Sequence, residues 1–126
     1  GLIRGRLNPC PDLANCKVSM YPQDTRHHMK PWFYHKSREE IREFLLEILN
    51  NEKGAQILEN KENYLHAVYT VPIMKFKDDL EFFLPESTNV IHFRSASRVG
   101  YSDLGLNKRR LRRIQKKLSN NGIITI

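Results

Sequence analysis

Arg94 and Arg98 stand four residues apart among the hydroxyls of Ser95, Ser97 and Ser102, and Gly100, Asp103, Gly105 and Asn107 follow. A guanidinium presents a planar fork of donors that matches a phosphate or a carboxylate. Hydroxyls add neutral donors, and glycines let the backbone approach a ligand closely. The amides opening a helix near Lys108 to Arg110 would be anion donors as well. These residue types point to a small anionic ligand held at Arg94, Ser95, Ser97, Arg98, Asp103 and Asn107, with the two arginines as its contacts. The glycine spacing is neither that of a P-loop nor that of a dinucleotide fingerprint, and no cofactor is expected. A competing reading closes the same residues on themselves. Asp78, Asp79, Glu81 and Asp103 can pair with Arg94 and Arg98 and clasp the loop to a sheet.

Asp79 and Glu81 are two apart in a strand-like run and so face the same way. Paired carboxylates can divide acid and base roles when one pKa is raised, and His66 and His92 could share their face. An arginine opposite would instead keep both carboxylates ionised. There is no nucleophile elbow. An enzyme built on Asp79 and Glu81 is therefore an alternative to the binding module, with no catalytic residue assigned.

The chain has 126 residues and a formal charge of +7. Lys108, Arg109, Arg110, Arg112, Arg113, Lys116 and Lys117 fall in one segment without an acid, and the remaining basic and acidic residues balance. A localised basic patch points to an anionic partner more strongly than diffuse basicity does. Nucleic-acid binding through residues 108–117 is a second alternative. It is the weaker one, because no aromatic residues interleave with these cations.

Cys10 and Cys16 lie in a turn-rich stretch containing Pro9, Pro11 and Asp12. They can close a short disulfide loop or remain free thiols in a reducing compartment. Their spacing to His27 and His28 matches no zinc pattern, so no metal is expected. No apolar run reaches the ~18 residues of a membrane span, and no signal-peptide pattern opens the chain. The expected location is cytoplasmic if the chain is complete and exported if a leader has been removed. Nothing in the residues sets an oligomeric state.

Residues 1–34, punctuated by four prolines, read as an irregular arm packed on an α+β core at 35–126, within one domain spanning 1–126. Ser37-Arg38-Glu39-Glu40 forms a capping box, followed by an apolar face at Ile41, Phe44, Leu45, Ile48 and Leu49. Strands are expected at 56–60, 64–71, 79–84 and 90–97, and a hairpin loop at 85–89. Matching core faces would put Arg94 opposite Asp79 or Glu81. A final helix at 108–119 takes Asn107 as its N-cap, and Ile123 to Ile126 form an apolar tail. The expectation is α+β: about four antiparallel strands, a helix before and a helix after on one face, and an irregular N-terminal arm.

The segments Asn8-Pro9-Cys10-Pro11-Asp12, Asn15-Cys16, Tyr64-Leu65-His66-Ala67, Phe76 to Phe82 and Arg94 to Arg110 resemble a domain-of-unknown-function family, numbered 1499, of bacteria and plants. The resemblance covers nearly the whole chain. It implies a compact single domain with no assigned activity and no catalytic residues to carry over. Many relatives look exported, which would suit a Cys10–Cys16 bridge.

Overall fold

The computed structural model describes residues 1–72 and 75–125. In chain order the elements are β1 (Cys16–Val18), β2 (Trp32–Phe33), α1 (Arg38–Asn51), β3 (Ala55–Lys61), β4 (Tyr64–Thr70), β5 (Lys77–Phe83), β6 (Val90–Ser97) and α2 (Leu106–Asn120). Among the described residues the fold is α+β, with an antiparallel sheet of six strands and two helices. The main order is β1-β6-β5-β4-β3, and β2 also pairs with β6.

The strand count differs from the four expected. Residues 1–34 are not wholly irregular: β1 pairs with β6 at residues 94–96, and β2 pairs with it at 90–91. Strands of three and two residues are too short to show a period. They form because β6 offers an edge whose backbone groups need partners.

Alternation along the strands gives the sheet two unlike faces. On one, Leu65, Ala67, Tyr69, Leu80, Phe82, Ile91 and Phe93 meet Ile41, Leu45, Ile48 and Leu49 of α1 and Leu111, Ile114 and Leu118 of α2 in one buried cluster. On the other, the arm supplies Leu7, Val18 and Met20 against Tyr64 and Phe83. Trp32 joins the helix-side cluster, 4.5 Å from the Phe93 ring, whereas neighbouring Phe33 is exposed.

Ser37 caps α1, its hydroxyl accepting from the Glu40 amide at 3.2 Å. The reciprocal half of the capping box is different: the Glu40 carboxylate accepts from the Ser37 hydroxyl. Gly54 ends the turn after α1 at φ +82°, where an added Cβ would lie 2.9 Å from the Thr70 carbonyl oxygen. Ile123 and Ile124 are buried, and Tyr34 bridges to Ile124. Ile126 lies outside the described residues. Among the described residues no helix is long and apolar enough to cross a membrane.

Candidate functional site

The sheet divides the residues that the sequence groups together. Arg94, Arg98, Asp79 and Glu81 lie on the arm side, whereas Ser95 and Ser97 lie on the side covered by α2, against Asn107 in its first turn and Asp103 just before it. The cause is the two-residue strand period: neighbours such as Arg94 and Ser95 must point to opposite faces. One ligand cannot touch all six proposed contacts.

On the arm side the arginines are already engaged. Glu81 is the register partner of Arg94, at an ion-pair distance of 3.7 Å. Arg98 forks onto Asp79 with contacts of 2.8 and 2.9 Å. His66 adds a 2.7 Å contact to Asp79, and the Tyr64 hydroxyl donates to Glu81. Burial alone would raise the Asp79 carboxyl, but the bonds from Arg98 and His66 hold it below its ordinary value. Burial and the Glu81 carboxylate push the Tyr64 hydroxyl well above its own. His92 does not join these carboxylates. Its Nδ1 lies 2.9 Å from the buried Ser19 hydroxyl, which also accepts from the Phe93 amide, and burial lowers its pKa. The Ser19 hydroxyl thus ties the arm to β6.

Beneath α2 the polar groups form a closed network. Helix α2 begins at Leu106, so Asn107 is not its N-cap. Gly105 occupies that position in a left-handed conformation, and no side chain caps it there. The Asp103 carboxylate instead accepts from the Gly105 and Asn107 amides at 2.8 and 3.2 Å. The anion at this helix start is the protein's own. The Asn107 side chain is fully buried. Its amide donates to Ser97, Asp103 and the Asn15 carbonyl, and its oxygen accepts from Ser95 and Arg110. Arg110 reaches on to Asp78 at 2.6 Å and lies 4.2 Å over the Tyr69 ring.

The basic run of α2 is likewise divided. Arg113 and Lys117 both bind Glu52, the residue that closes α1. Burial alone would raise the Glu52 carboxyl, but hydrogen bonds from Arg113, Lys117 and Tyr69 hold it down at about 2. Lys108, Arg109, Arg112 and Lys116 remain exposed.

Lys108 and Arg112 face the arm across a cleft of about 530 Å³, whose other lining includes Lys17, Thr25, His28, Lys30 and Gln115. Trp32 and Met29 also contribute to its lining. No acid lines it, and Lys17, Lys30, Lys108 and Arg112 enter no ion pair among the described residues. Lys17, Lys30 and His28 are not visible as site residues in the sequence, because the pairing of β1 with β6 places Lys17 and the Val18–His28 bridge carries residues 28–30 alongside it. Cys10 and Cys16 are joined as a disulfide nearby, with Cα atoms 5.7 Å apart. Their sulfurs are thereby withdrawn from metal binding, and no cluster of three metal-ligating side chains occurs among the described residues.

No curated protein and no solved structure matches the chain. A family model described as "Protein of unknown function (DUF1499)" matches residues 6–118, and the chain belongs to that family.

Proposed function

We propose that this member of the DUF1499 family is a non-enzymatic binding module for a small anionic ligand, carrying phosphate or carboxylate groups, held in the cleft between the arm and α2. One observation carries the reading: Lys17, Lys30, Lys108 and Arg112 surround the same cleft with no carboxylate among its lining residues. Like charges held together repel, and an anion would relieve that repulsion. The cleft has the size of a small-molecule site, in the range of roughly 300–1,000 Å³. The original arginine–serine motif would then serve as scaffold, fixing α2 and the loop before it so that Lys108 and Arg112 face the arm. The commitment of Asp79 and Glu81 to cationic or hydroxyl partners supports binding over carboxylate catalysis.

Thermal melting in pyrophosphate or citrate tests the proposal. A ligand at one hundred times its Kd stabilises the folded state by about 2.7 kcal/mol. The melting temperature should rise for the native chain and stay flat for Lys30→Gln/Arg112→Gln, which should keep the fold because both side chains are exposed. An equal rise in both proteins would assign the effect to bulk salt and sink the reading. A gel shift at low salt that Lys116→Gln weakens as much as Arg112→Gln would favour nucleic acid along the exposed line of α2 instead.

A further inference from the structure

A second hollow, of about 290 Å³, lies on the other side of the loop between β6 and α2. Its apolar lining is Val71, Phe76, Val99, Leu104 and Leu106. Several of these side chains project into solvent: Phe76 is 44% exposed, Val99 52% and Leu104 84%, and Tyr101 of the same loop is 84% exposed. Apolar residues gathered in one exposed patch mark a contact surface.

The display is built into the backbone. The Ala14 amide donates to the Tyr101 carbonyl at 2.9 Å, and the Asp103 amide donates to the Ala14 carbonyl at 3.1 Å. The Asn15 side chain donates to the Gly100 carbonyl at 2.7 Å, and the Leu104 amide to the Ser102 hydroxyl at 3.2 Å. Leu104 itself sits at φ +53°, a left-handed conformation that leucine rarely adopts. A loop tied at this many points holds its apolar side chains outward rather than folding them under.

Charge narrows the choice of partner. Lys75 is exposed next to Phe76, and the Arg109 guanidinium donates to the Leu104 carbonyl at 2.8 Å; Lys77 turns to the other face of the sheet, its ammonium 3.2 Å from the Thr70 hydroxyl. The two acids lining the hollow are engaged within the fold, Asp78 with Arg110 and Asp103 with the start of α2. Apolar and aromatic tips with Lys75 and Arg109 at their border suit the boundary of an anionic bilayer. There the apolar groups enter the acyl region and the cations meet headgroup phosphates. Four projecting side chains also fall well short of the roughly 20–30 residues per side of a standard protein interface. We propose that the 99–104 loop and Phe76 form a docking surface for an anionic lipid membrane. This surface does not depend on the cleft between the arm and α2.

Sedimentation with vesicles tests it. The native chain should pellet with vesicles of equal parts phosphatidylcholine and phosphatidylglycerol, and remain in solution with phosphatidylcholine alone. Tyr101→Ser/Leu104→Asn should bind the mixed vesicles about tenfold more weakly or worse, with an unchanged melting temperature, since asparagine tolerates the left-handed backbone at 104. If the double variant melts early, Tyr101→Ser alone takes its place. Undiminished binding by the variant would overturn the proposal, because attraction by charge alone would then suffice. Failure of the native chain to pellet with either vesicle would also overturn it. So would a concentration-dependent dimer that the variant abolishes, which would make a second copy the occupant.

Discussion

The Arg110 guanidinium donates to the Asp78 carboxylate at 2.6 Å, and both side chains are almost wholly buried, at 4% and 1% exposure. The pair joins α2 to β5 through the sheet face that the helices cover. Around it, Ser95 and Asn107 accept two further hydrogen bonds from the buried guanidinium. This contact, not an open anion cradle, is what the motif at 94–110 builds.

Arg110→Met should therefore be severe. It leaves Asp78 buried without its charge partner, and losing one member of a buried pair costs about 3–5 kcal/mol. Urea unfolding should show that loss, with partial recovery in Asp78→Leu/Arg110→Met, where both charges are gone. Recovery is only partial because Ser95 and Asn107 still lose a donor. A single variant as stable as the native chain would remove the pair from any central role.

Both residues were legible in the sequence, though in other roles. Asp78 precedes Asp79 by one position, so the strand period places it with Leu80 and Phe82 on the helix-covered face. Asn107, Arg110, Leu111, Ile114 and Leu118 recur at helical spacing, which puts Arg110 on the buried stripe of α2. Arg110 therefore does not belong with the partner-facing cations of the 108–117 segment. Arg94 facing Glu81 was one of the two registers that matching core faces allowed. The cleft was not legible, because β1 is too short to be seen and its pairing with β6 is a long-range event.

Arg98→Ala should leave the fold intact, since the Arg98–Asp79 pair is half-open to solvent and His66 still holds the carboxylate. Its signature is local. Arg98 helps to hold the Asp79 carboxyl below its ordinary pKa, so its removal should move that carboxyl upward. An NMR titration of the side-chain carboxyl carbon measures this directly. An unmoved midpoint would mean that the pair does not persist in solution.

Reducing the Cys10–Cys16 bridge should weaken the fold modestly. The loop it closes is short, with a sequence separation of 6, and the chain-entropy argument assigns about 2 kcal/mol to a loop of that size. Cys10→Ser/Cys16→Ser should lower the urea midpoint accordingly and leave the protein insensitive to reductant. Thiol titration of native protein isolated without reductant should find no free sulfhydryl. Two titratable thiols would contradict the bridge.

Acid should act through Glu52. Three donors converge on its carboxylate: Arg113 at 2.5 Å, Lys117 at 3.0 Å and Tyr69 at 2.9 Å. Burial opposes ionisation, yet these bonds more than offset it and hold the folded pKa at about 2, against an ordinary value of 4.5. The unfolded chain thus takes up the proton first as pH falls. The stabilisation is complete above about pH 4.5 and is lost progressively as pH falls through about 2. Its upper bound is about 3 kcal/mol. Glu52→Gln should be less stable than the native chain at neutral pH and should flatten the acid limb of stability against pH in that window. If the two proteins lose stability in parallel between those pH values, the junction between α1 and α2 is not held by this carboxylate.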